Sequence, residues 1–205
     1  DFEALARYYI RDLAWVCVWQ GDFEKAEKYA QQGIRVLQSH PDEYMNALAE
    51  ERLGFIYQHQ GKLKEADSLL NHCLSIFKTL QRDLDISDTY IVQGHIALKS
   101  KEYEKAKKLY KNAYELGKTI RHYEGEAISL YYLADVFLIE EKYDEAEKYY
   151  KQALLIDEQR GRQAGIAWNK MRLAQIAEYK GNTKQAKQLH SESKKLFRRI
   201  GIKYS

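Results

Sequence analysis

Among the residues of this chain, a glycine–lysine–threonine triplet, six histidines and two cysteines have the types that could do chemistry. Gly117-Lys118-Thr119 has the ending of a phosphate-cradling loop, in which backbone N–H groups and the lysine hold a nucleotide. That loop needs a glycine at position 112, where Asn112 stands, and it needs a preceding strand that the surrounding pattern does not offer. His122-Tyr123-Glu124 has the H-x-E spacing of a zinc deaminase, but no P-C-x-x-C segment accompanies it. His40, His59, His72, His95, His122 and His190 form no H-x-x-x-H pair, and Cys17 and Cys73 are too far apart to pin a zinc ion together. No G-x-S-x-G elbow is present. The sequence therefore offers no catalytic, cofactor or metal site, and a non-enzyme is expected.

The elements that would position any site follow a period. Ala26, Ala66, Ala106, Ala146 and Ala186 recur 40 residues apart, each five residues after a turn position at Gly21, Gly61, Lys101, Glu141 and Gly181. A repeat of 20–50 residues marks a stacked array in which each unit buries its apolar face against its neighbours. Aligned in rows of 40, one column reads Leu13, Leu53, Gln93, Leu133, Leu173 and the next Ala14, Gly54, Gly94, Ala134, Ala174, small in every row. Spacings of three and four between such columns place them on one helix face. Each row reads as two helices and a tight turn: first helices near 3–20, 43–60, 83–100, 123–140 and 163–180, second helices near 23–39, 63–80, 103–120, 143–160 and 183–200. The single proline, Pro41, falls between rows, as long uninterrupted helices require.

These columns resemble the tetratricopeptide repeat. Leu53-Gly54 with Tyr57, Gly61, Leu63, Ala66 and Leu70 carries the resemblance, as does Leu133-Ala134 with Phe137, Tyr143, Ala146, Tyr150 and Ala153. The units are longer than the common 34-residue repeat and mostly lack its closing proline. They look like the repeats of kinesin light chains and of bacterial signalling ATPases and transcriptional regulators. The resemblance implies an all-α, right-handed solenoid of ten helices in one domain over 1–205, with repeats at about 3–40, 43–80, 83–120, 123–160 and 163–200. The chain opens on Asp1 inside a helical pattern and is read as a fragment of a longer protein.

Arrays of this kind line their concave face with the first helices, which implies that columns 8, 11, 15, 18 and 19 face the groove. Trp15, Trp19, Phe55, Tyr131, Trp168 and Tyr179 stand there as candidate anchors, since aromatic side chains bury much area at low entropic cost. His59, His95, Lys99 and Asp135 would add orienting polar contacts. The stripe carries His59, His95 and Lys99 but no asparagine, unlike the co-chaperone repeats that clamp a C-terminal carboxylate. The competing reading is that neighbouring structure covers these aromatics.

Composition bounds the partners. With 33 basic and 30 acidic side chains, the net charge of +3 leaves no electrostatic footprint for nucleic acid. No apolar run approaches the roughly 20 residues that span a bilayer. Two cysteines at unrelated positions in their repeats favour a reducing, cytoplasmic setting over a disulfide framework. The expectation is a scaffold or sensor module that takes a protein or peptide segment in its groove, with no cofactor, nucleic acid or membrane. The alternative is the ligand-sensing arm of a bacterial signalling ATPase or transcriptional regulator, and an RNA-binding helical repeat is the third reading. Phe2, Leu5, Tyr8 and Tyr9 at the first repeat imply an end covered by further chain or by a second copy.

Overall fold

The helices of this chain stop for one local reason. Residues with positive φ recur every 20 positions, at Gly21, Gly61, Gln81, Lys101, Arg121, Glu141, Gly161, Gly181 and Gly201. At eight of these turns the N–H of the next residue donates to the carbonyl five positions back, as from Lys62 to Tyr57 (2.9 Å) and from Asn182 to Ala177 (2.7 Å). This is the six-to-one bond that closes a helix behind a left-handed residue and satisfies one of its orphan carbonyls. Glycine adopts that conformation freely, whereas an L side chain pays for it. Glu141→Gly is therefore expected to stabilise the chain by about 0.5–1 kcal/mol, read as a raised denaturation midpoint with unchanged slope.

The computed structural model describes residues 2–38 and 42–202, and the side chains of all these except Glu3 and Arg11. The expected connection at His40-Pro41 and the groove position Arg11 thus fall outside the described residues or side chains. Asp42 is described, and its side chain caps the next helix by accepting from Met45 N–H at 2.7 Å.

The chain divides into two compact units, residues 1–101 and 102–205. The first unit holds α1 (Phe2–Arg7), a π-helical segment (Tyr8–Leu13), α2 (Ala14–Trp19), α3 (Phe23–Gln38), α4 (Glu43–Gln60), α5 (Leu63–Thr79) and α6 (Asp83–Lys99). The second holds α7 (Tyr103–Ile120), α8 (Tyr123–Ile139), α9 (Tyr143–Arg160), α10 (Gln163–Tyr179) and α11 (Thr183–Arg199). Counting α1, the π segment and α2 as one rod, the described residues form ten rods in five helix–turn–helix repeats and no strand. This is the tetratricopeptide-like solenoid architecture. The π segment was not expected; Ala6, Ile10 and Ala14, before, within and after it, are all buried.

Small residues set the helix spacing. All five column-26 alanines are buried, and a Cβ added at Gly54 would meet Leu70 on α5 at 3.1 Å. In the second unit Ala146 sits in a cluster with Ala134, Tyr150, Leu173 and Ile176. Ala146→Leu overfills that cluster and is expected to cost about 2 kcal/mol in chemical denaturation.

Candidate functional site

In the first unit, the stripe aromatics pack on one another more than they open to solvent. The Trp15 ring lies 5.4 Å from Phe55 and meets Trp19 edge-on at 6.4 Å. The guanidinium of Arg52 sits 5.5 Å over Trp15. His59 stacks on Phe23 at 5.0 Å and touches Phe55 at 4.6 Å. Trp19 is the exception, 77% exposed. Of the expected polar contacts, Lys99 bonds within the unit: its Nζ donates at 2.8 Å to the Gln58 carbonyl in the last turn of α4, which also accepts from Gly61 N–H. The Nε2 of His95 is buried, and burial, then His59 and Lys99, pull its imidazole down to about 3. In the free chain His95 is thus buried and Lys99 is bonded within the unit, at positions where the sequence suggested orienting contacts to a partner.

In the second unit the structure brings Tyr131, Asp135 and Trp168 to one pocket of about 360 Å³ between α8, α9 and α10. Asp135 is buried rather than facing open solvent. It accepts from the hydroxyl of Tyr150 and pairs with Arg172 Nε at 3.1 Å. Burial pushes its carboxyl up, while Arg172 and Tyr150 pull it back. Arg172 also donates to Tyr131 Oη at 3.1 Å and to Gln175 Oε1 at 3.2 Å. Trp168, 36% exposed, stands in the wall and packs edge-on against Phe197 at 4.8 Å. Tyr179 is not part of this pocket: it stacks on Tyr143 at 4.9 Å at the far end of α10.

Half of the pocket's polar floor escaped the sequence reading. Asp157, buried at 2% exposure, accepts from Arg162 Nη1 at 2.7 Å and from Asn169 Nδ2 at 2.9 Å. Arg162 reaches on to Glu124 at 2.9 Å, tying α8 to the turn before α10. The room for the Asp157 carboxylate comes from Gly165, where an added Cβ would collide with it. Two columns carried the signal. Position 157 falls in a column that otherwise reads Leu37, Phe77, Gly117 and Phe197, apolar or small and buried in every row. Position 169 follows Ala49, Thr89 and Ser129, all buried. Thr89 and Ser129 donate to the carbonyl four residues back, and Asn169 does the same to Gly165 at 2.9 Å. Being longer, it also spans to Asp157. An acid in an apolar column and an amide in a small one were the marks of this site.

Among the described residues no group of three or more His, Cys, Asp or Glu side chains could hold a metal ion, and no helix is long and apolar enough to cross a membrane.

The fold is shared with solved structures of low sequence identity. BtubC (BKLC) from P. vanneervenii superposes with a TM-score of 0.79 at 18% identity, covering 100% of this chain and 84% of that one. A Podosopora anserina kinesin-light-chain protein with nearly identical TPR-like repeats gives 0.71 at 15% identity, covering 98% and 97%. The Rap conjugation gene regulator of plasmid pLS20, in complex with the Phr* peptide, gives 0.83 at 14% identity, covering 92% of this chain and 52% of that one. This chain thus spans about half the length of that regulator. No curated protein matches it at the level of sequence. The family model of the MalT-like TPR region matches residues 12–203, and the chain belongs to that family.

Proposed function

We propose that this chain is a non-catalytic interaction module that binds a peptide or protein segment, with the α8–α10 pocket as its principal anchor point. The observation that carries this reading is a pocket of about 360 Å³ walled by Tyr131 and Trp168 over a floor of fixed polar groups. Binding sites of this size pair apolar walls with a few placed polar groups. A neighbour of the same fold, the pLS20 Rap regulator, is described in complex with a peptide. In the first unit, Trp19 is the exposed aromatic available to extend such a contact. The test is to pan a random-peptide phage library on the immobilised chain and to measure enriched peptides against variants. Trp168→Ala should weaken binding by about 2 kcal/mol, and Lys108→Ala on an exposed position of α7 should leave it unchanged. Equal loss from both variants, or none from Trp168→Ala, contradicts the reading.

The second reading is a sensor arm within a larger signalling ATPase or transcriptional regulator. It draws on the family match and differs in what binding achieves rather than where. A nucleotide-binding segment encoded beside these repeats in the intact gene would favour it, and a gene without one would count against it.

A further inference from the structure

Resting on the segment-binding reading, we infer that the α8–α10 pocket takes the side-chain carboxamide of an asparagine or glutamine in the bound segment. The charges of the pocket are spent internally: Asp157 on Arg162 at 2.7 Å, and Asp135 on Arg172 at 3.1 Å. What remains for a ligand is one buried acceptor and the edge of the Arg172 guanidinium, which lines the same pocket. Asn169 is 1% exposed, and its orientation is fixed because Nδ2 donates to two acceptors, Asp157 Oδ2 and the Gly165 carbonyl, each at 2.9 Å. Its Oδ1 is then turned away from both, buried, and without a hydrogen-bond partner among the described residues. A buried carbonyl left unmatched is costly, so a native structure that keeps one there points to a donor brought by something else.

One helical turn further on α10 stands Arg172, whose Nε and Nη1 are used by Tyr131, Asp135 and Gln175. Residues three apart on a helix are neighbours on its surface, so the ligand meets an acceptor and a guanidinium edge side by side. A carboxamide answers both with one neutral group: its N–H to Asn169 Oδ1, its C=O to the Arg172 guanidinium. A carboxylate brings no donor and sets a third acid beside Asp135 and Asp157. An ammonium brings no acceptor and faces Arg162 and Arg172. A purely apolar side chain leaves Asn169 unmatched. The methylenes of the entering residue would lie against Ile128, Tyr131 and Trp168.

The depth of the acceptor favours a side chain over the main chain. Ala164 and Trp168 line the same pocket and are exposed, while Asn169 is not. A segment lying across that rim reaches the recessed oxygen only through a side chain.

The experiment pans random peptides on the chain, then compares each enriched peptide with its amide-to-acid and amide-to-leucine versions. Enrichment of Asn or Gln at one position is expected, with at least about tenfold weaker binding when that residue becomes Glu or Leu. Asn169→Leu should abolish the difference between Gln and Leu peptides. Because that variant also strips partners from Asp157 and Gly165, Ala164→Trp serves as the second variant: it fills the pocket mouth from an exposed position and should block binding with the fold intact. Enriched peptides that lose binding on Ala164→Trp yet show no amide preference would overturn this inference alone. No enriched peptide at all would overturn it together with the segment-binding reading.

Discussion

Replacing Arg172 with methionine is expected to destabilise the second unit by about 3 kcal/mol, the low end of the cost of breaking a buried pair, because the guanidinium is partly exposed. The loss is electrostatic: Asp135 keeps only the Tyr150 hydroxyl of its two ties seen here. The pH dependence separates this from lost packing. Burial already raises the Asp135 carboxyl above its ordinary value of 3.8, and removing the guanidinium raises it further. A carboxyl whose folded pKa is raised takes up its proton in the folded state first. The penalty therefore shrinks as pH falls through that folded pKa and is gone below the unfolded value. A pH series of denaturation midpoints for Arg172→Met should converge on the unaltered chain in acid. Adding Asp135→Asn should restore much of the loss at neutral pH. A penalty independent of pH would mean that Arg172 acts through its packing and its bonds to Tyr131 and Gln175, not through the Asp135 charge.

Acidification should weaken the first unit through His95. Burial, followed by the charges of His59 and Lys99, holds its folded imidazole at about 3, against an unfolded value of 6.5. For a base with a depressed folded pKa, the stability it carries is full above the unfolded value. It is lost as pH falls toward the folded one, because only the unfolded chain takes the proton. The slope averages about 1 kcal/mol per pH unit below pH 6.5, or about 2 kcal/mol between pH 6.5 and 4.5. His95→Leu removes that proton uptake, so its stability should fall less steeply over the same range by that amount. Parallel pH profiles for the two chains would show that the imidazole titrates normally.

The fold was legible because it is written in columns. Ala26, Ala66, Ala106, Ala146 and Ala186 could be read as contact points since helix approach demands a small side chain in every row, and all five are buried. The turns could be placed at Gly21, Gly61 and Gly181, and also at Lys101 and Glu141, where the 40-residue register overrode an unfavourable residue type. The site was legible only where it followed the same logic. Tyr131 and Trp168 stood out as candidates because they are aromatics in columns expected to face the groove, and both line the pocket. The bond of Lys99 was not legible, because its partner is a backbone carbonyl 41 residues away, which no side-chain pattern encodes. Asp157 and Asn169 were missed because they occupy columns that other rows fill with core residues. Their meaning appears only once α9 and α10 are packed and the two side chains, 12 residues apart, meet at 2.9 Å. Repetition reveals a scaffold, and a site shows itself where one row breaks the repetition.

The claim that this module reads a segment through its α8–α10 pocket is tested most directly by a nuclear magnetic resonance titration. The ¹⁵N-labelled chain is mixed with a peptide enriched by panning, and the side-chain signals of Asn169 Nδ2 and Trp168 Nε1 are followed. The account predicts that these two shift early and by the largest amounts and saturate together, while amides around Lys108 on α7 stay in place. Saturating peptide that leaves Asn169 and Trp168 unmoved, with the shifts gathered elsewhere on the chain, would contradict it.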